Sequence, residues 1–141
     1  MLLDIPDART ANDKWYDCGL VCARAILSYY DKDTSFANRL APSERTGLSL
    51  SSLTSCFELA GLRVCQGSLG IETLKRIRSP VILCINAEPE DHYVVYRGFV
   101  RQRIYYFDPT IGHTSKPVDK FLSCWHSVSS RPLSQYGMIV S

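Results

Sequence analysis

Ser79-Pro80-Val81-Ile82-Leu83-Cys84-Ile85 marks the place where the chain changes its pattern. Pro80 stops what precedes it, because proline lacks an N–H and disfavours helix at the residue before it. The run after it is apolar and rich in β-branched residues, the composition of a strand. Residues 93–99, 103–107 and 137–140 read the same way, with a helix expected near 117–122. Upstream the period is helical. From Cys18 to about Tyr30, apolar residues recur at Leu20, Ala23, Leu27 and Tyr30, and Val21 and Ile26 widen the stripe. Residues 49–60 form a second helix with Leu50, Leu53, Phe57 and Ala60 on one face and Gly61 as its stop. Shorter pieces are a helix over 35–40 before Pro42, a strand over 62–66 and a helix over 71–77; residues 1–17 are an irregular lead-in. Helices first and strands afterwards give an α+β fold, with an antiparallel sheet packed on the leading helices.

The 141 residues suit one domain, 1–141, with a sizeable core. A net charge of +2 and no Lys/Arg run argue against a nucleic-acid partner. No apolar stretch approaches the roughly 18 residues of a membrane span. The start, Met1-Leu2-Leu3-Asp4-Ile5-Pro6, is too short and too soon acidic for a signal peptide. A native start of this kind implies a cytoplasmic protein, and an excised domain would read the same. Cys18, Cys22, Cys56, Cys65, Cys84 and Cys124 mostly sit inside apolar runs, which favours buried free thiols over disulfides. There is no CxxC pair and no Gly-rich phosphate loop, so neither a metal nor a cofactor is expected.

Cys18, in Trp15-Tyr16-Asp17-Cys18-Gly19-Leu20, opens the first helix, with Asp17 as the expected N-cap. Partial positive charge at a helix start favours thiolate over thiol, so this position suits a nucleophile. Such a nucleophile needs a base, and there are three histidines. His92 begins Asp91-His92-Tyr93-Val94-Val95 at the mouth of a strand, His113 follows Gly112 in a loop, and His126 follows Cys124-Trp125. Each could equally be a structural or surface histidine. Asp108 closes the strand 103–107 before Pro109, where it could orient an imidazole or simply start a turn. Trp15 and Tyr16 suit a substrate-binding wall or packing on the first helix, and Arg97, Arg101 and Arg103 suit a solvated hairpin edge.

Asp17-Cys18-Gly19, His92-Tyr93-Val94-Val95 and Asp108-Pro109-Thr110-Ile111-Gly112 resemble the three signature blocks of the bacteriocin-processing, double-glycine leader peptidases of the papain-like clan. That family has Asp-Cys-Gly at a helix start, His-Phe/Tyr-Val-Val on a strand, and Asp-Pro-x-x-Gly about sixteen residues later. Leu69-Gly70-Ile71, Pro80-Val81-Ile82, Phe121 and Trp125 are similar to its middle and closing sections. The first two blocks are also similar to a guanylyl-cyclase-like group, whose cyclase name has no motif here.

The resemblance implies a papain-like cysteine peptidase fold and a Cys–His–Asp triad acting through a thioester. Cys18 is then the nucleophile, His92 the base and Asp108 the orienter. The family's Gln six positions before the cysteine, an oxyanion donor, is replaced by Asn12, which offers the same carboxamide on a shorter stem. The implied substrate is a peptide or protein, and the implied partner a transporter from which the domain is excised or with which it associates. Glutamine deamidation, acyl transfer with the same triad, and a non-catalytic peptide-binding module are the alternatives.

Overall fold

The computed structural model describes residues 1–44, 47–87, 90–125 and 135–141. A single 3-10 turn, Trp15–Asp17, leads into helix α1, Cys18–Tyr29; helices α2, Ser35–Asn38, and α3, Leu50–Leu59, follow. Strand β1 is Val64–Ser68, α4 Ile71–Leu74, β2 Val81–Ala87, β3 Glu90–Val100, β4 Arg103–Asp108, β5 Gly112–Pro117, α5 Val118–Cys124 and β6 Tyr136–Val140. The strands form one antiparallel sheet in the order β1-β6-β2-β3-β4-β5.

Both faces of the sheet are covered, which is why β2 is a continuous apolar run rather than an alternating one. Ile82 and Cys84 face a core shared with Val21, Ile26 and Leu27 of α1 and Leu53 and Phe57 of α3. Val81, Leu83 and Ile85 face a second core containing Leu74, Phe121 and Trp125. The sequence pattern packed the leading helices on the sheet and assigned no face to the helices expected near 71–77 and 117–122; these, α4 and α5, cover the other face. α3 ends as its glycine implies: Gly61 takes φ +86° and Leu62 N–H donates to Phe57 O at 3.0 Å, a left-handed stop that favours glycine.

Several boundaries differ from the sequence pattern. β1 runs two residues later than 62–66, α4 ends at Leu74 rather than 77, and β3 begins before residue 93. β5, Gly-His-Thr-Ser-Lys-Pro, carries no apolar alternation because it is a polar edge strand, held by its register on β4 and by Arg103, whose Nε donates to Ser115 Oγ at 3.0 Å. Arg97 is likewise more than a solvated edge. Its Nε donates to Leu3 O at 3.0 Å while Leu3 N–H donates to Arg97 O at 2.7 Å, tying the N-terminal segment to β3. Gly98, beside a bulge in β3, lets that segment pass: a Cβ there would sit 2.9 Å from Leu2 Cδ2. Among the described residues no disulfide joins any of the six cysteines; Cys22, Cys56 and Cys84 are buried, but Cys65 on β1 is exposed.

Candidate active site

Antiparallel pairing of β3 with β4 sets Val95 opposite Phe107, so the start of β3 lies beside the end of β4 and His92 meets Asp108. His92 Nε2–H donates to Asp108 Oδ1 at 2.7 Å. The same carboxylate oxygen accepts the Thr110 N–H at 2.8 Å, which fixes the carboxylate against the β4–β5 turn. With Nε2 occupied, Nδ1 is the ring nitrogen left for a second partner, and Cys18 lies near enough to raise the pKa of this ring.

α1 brings Cys18 there by docking its first turn on β3. The Cys22 thiol donates to Tyr93 O at 3.5 Å, one residue from His92. Gly19 makes the approach close: a Cβ on it would lie 3.1 Å from Leu48 Cβ and 3.5 Å from Tyr93 Cδ2. Asp17 does not cap α1 with its side chain as expected. Its Oδ2 accepts the Lys14 N–H at 2.8 Å, closing the 3-10 turn that delivers Cys18 to the helix start.

The electrostatics are those of a coupled acid–base pair. Burial lowers the His92 pKa, but hydrogen bonds to Asp108 and Cys18 and the charge on both raise it further, to about 9. Burial raises the Asp108 pKa, and the His92 hydrogen bond and charge, with the Thr110 and Ile111 backbone N–H groups, more than offset this and hold it below the ordinary carboxylate value. At neutral pH the pair is therefore imidazolium and carboxylate. The buried Cys22 thiol is pushed up by burial and by the neighbouring Cys18 and Asp108, which suits a packing role.

A cleft of about 580 Å³ opens over Cys18. The segment from Asp7 to Trp15 forms one wall, and Pro109 and Thr110 stand in the other. Trp15, 59% exposed and edge-on to Tyr16, lines this cleft, so it occupies the wall position rather than packing inward. Arg9 lies over Gly112, where a Cβ would come 2.8 Å from its Nη2, and Asp7 braces it at 2.7 Å. Gly112 has φ +92°, so the backbone favours glycine at this end of the Asp-Pro-x-x-Gly block, whereas the flexible Arg9 guanidinium could give way to a Cβ.

The other sequence candidates are placed as follows. Asn12 stands in the Ala11–Asn12 turn with its side chain exposed; Ala11 and Asp13 on either side line the cleft, and Asn12 itself is not among the lining residues. His113 lies on β5 rather than in a loop, exposed, with its ring against Phe107 at 5.4 Å, and burial and Arg97 lower its pKa. His126 lies outside the described residues. Among the described residues no His, Cys, Asp and Glu group has the geometry of a metal site. Pattern reading missed Arg24 and Asp13, whose 2.9 Å ion pair sits behind the cleft wall. The available signal was a lone cation in the otherwise uncharged α1.

Residues 9–130 match the peptidase C39 family. A curated relative, the probable functional amyloid protease FapD of Pseudomonas fluorescens, is 26% identical over 82 residues, which is 58% of this chain and 36% of that protein. The chain thus aligns with about a third of the length of this relative. In fold it is similar to a double glycine motif protease from an AMS/PCAT transporter, solved with its leader peptide: TM-score 0.80, 20% identity, covering 99% of this chain and 92% of that one. The peptidase domain of Streptococcus ComA, a bifunctional ABC transporter of a quorum sensing pathway, gives a TM-score of 0.75 at 14% identity, covering 96% and 98%. The N-terminal C39-like domain of a Vibrio parahaemolyticus toxin secretion ATP-binding protein gives 0.63 at 16%, covering 93% and 98%. From the family match and the fold together, the chain belongs to the peptidase C39 family and has the papain-like fold of its peptidase domains.

Proposed function

We propose that this chain hydrolyses a peptide bond with Cys18, His92 and Asp108 as its triad. The observation that carries the reading is His92 bonded to Asp108 at 2.7 Å, with its pKa raised by the nearby Cys18, which lines a cleft of about 580 Å³. Cys18 Sγ attacks the scissile carbonyl carbon, and the C–N bond breaks as His92 gives its proton to the leaving amine. Water then attacks the thioester; His92 takes its proton, and the acid product leaves as the Cys18 sulfur is released. Asp108 keeps the imidazole in one tautomer and orientation throughout.

The tetrahedral oxyanion needs donors aimed at it. The Cys18 backbone N–H, at the start of α1, is the first. The Asn12 carboxamide is the second, on the support of its position six residues before Cys18 and of a turn whose two flanking residues line the cleft. Its side chain is exposed, so this role requires it to turn toward the cleft.

The substrate is a peptide or protein segment, and the likeness to a protease of double-glycine leaders favours one with small residues before the cut. Partnership with a transporter is supported by the transporter domains among the structural neighbours. Among the described residues no helix is long and apolar enough to cross a membrane. The likeness to the guanylyl-cyclase-like group involves the same core residues and adds no chemistry of its own.

The test is incubation with a synthetic Gly-Gly leader peptide and with glutamine-containing peptides, reading new N-termini and released ammonia. New N-termini that vanish in Cys18→Ala support peptide hydrolysis. Ammonia without new N-termini makes the chain a glutamine deamidase instead.

A further inference from the structure

Arg24 is the one charged residue of α1, and it points at the back of the cleft wall rather than at solvent. Its Nη2 donates to Asp13 Oδ1 at 2.9 Å and Oδ2 at 3.0 Å, and to Ala8 O at 2.8 Å, with Nε on the same carbonyl at 3.3 Å. Asp13 in turn accepts the Thr10 N–H at 2.6 Å and the Thr10 hydroxyl at 3.0 Å. One guanidinium and one carboxylate thus fasten residues 8, 10 and 13 to the helix that carries Cys18. Both side chains are largely shielded, at 17% and 16% exposure, so the pair is well above surface quality. Nη2 alone meets both the carbonyl and the carboxylate, and Nε adds a second donor to the carbonyl; a lysine ends in one ammonium on a shorter stem and lacks the Nε donor.

We propose that Arg24 and Asp13 are positioning residues, a clamp that holds the 8–13 segment as a rigid wall so that a bound peptide meets Cys18 in register. The inference rests on the peptidase reading above. The clamp touches neither Cys18, His92 nor Asp108 in any described contact. Its loss therefore leaves the triad assembled and lets the facing wall drift, carrying the Asn12 turn with it. A misplacement of about 1 Å can cost on the order of a hundredfold in rate.

The test uses the full chain, a quenched fluorescent Gly-Gly leader peptide, and iodoacetamide as a probe of Cys18 alone. Arg24→Lys and Asp13→Asn, which keep size and most polarity, are the primary variants, with Arg24→Ala as the severe case. The expected result for each primary variant is a fall in kcat of about tenfold or more with a Cys18 alkylation rate within about twofold of wild type. The double variant should be no worse than the more severe single one, because the two residues act as a unit. Equal turnover in Arg24→Lys and wild type overturns the clamp, as does a loss of alkylation that parallels the loss of turnover. A wild type that leaves the peptide uncut overturns the peptidase reading and the clamp with it. A wild type that cuts beside variants that cut equally well overturns the clamp alone.

Discussion

His92 Nε2 lies 2.7 Å from Asp108 Oδ1, and each group shifts the other's protonation in the direction of an ion pair. The His92 pKa is about 9 in the folded chain against an ordinary 6.5, so folding takes up a proton. The stabilisation from His92 is fully present below the ordinary value and is lost as pH rises through about 9. Asp108 is shifted down, so its share is present above the ordinary carboxylate value and is lost as pH falls through its lowered pKa. Asp108→Asn should therefore destabilise the chain by on the order of 2 kcal/mol at neutral pH and by much less near pH 10. Thermal unfolding of both forms at the two pH values checks this; a cost equal at both would show that the pair is not charged.

Gly19 sets how near α1 comes to β3. In Gly19→Ala the new methyl meets Leu48 Cβ at 3.1 Å and Tyr93 Cδ2 at 3.5 Å, and both belong to the packed core. Leu48 or the helix must give by a few tenths of an ångström, and a retreat of the helix carries Cys18 with it. A stability loss of about 1–3 kcal/mol is expected. A fall in kcat of about tenfold or more should accompany it, because the reacting sulfur shifts away from His92. Chemical denaturation and steady-state kinetics on the same preparation measure both. Destabilisation without loss of turnover would mean that the approach of α1 is not what positions Cys18.

Asn12→Ala probes the oxyanion donor. The side chain is exposed, so the fold should be unchanged. Loss of one oxyanion donor costs on the order of a hundredfold in kcat, with little change in KM. Turnover within a few-fold of wild type would assign the second donor elsewhere.

Much of this site was legible because its parts lie where a pattern changes. Cys18 stands at the first residue of a helical period, and His92 and Asp108 stand at opposite ends of two strands that antiparallel pairing must bring together. The β-branched composition of β2 and β3 made the sheet readable without knowledge of its order. What escaped did so for physical reasons. β5 is an edge strand whose pairing depends on backbone and on Arg103, so its side chains carry no alternation. Asp17 looked like a cap because caps are read from residue type, whereas its carboxylate is taken by the Lys14 N–H of the preceding turn. The Arg24–Asp13 pair joins residues 11 apart through a loop whose path no local spacing encodes.

Cys18 and Cys65 together allow the most direct measurement. Cys65 is an exposed thiol on β1 with no imidazole partner among its described contacts, and it serves as the internal reference for Cys18. The chain is treated with limiting iodoacetamide near pH 6, where ordinary thiols are almost wholly protonated, and the modified positions are mapped by mass spectrometry over time. If His92 activates Cys18, Cys18 is modified about a hundredfold faster than Cys65, and the advantage disappears in His92→Ala. If Cys18 reacts no faster than Cys65, or keeps its advantage without His92, the two residues do not form a nucleophile and its base.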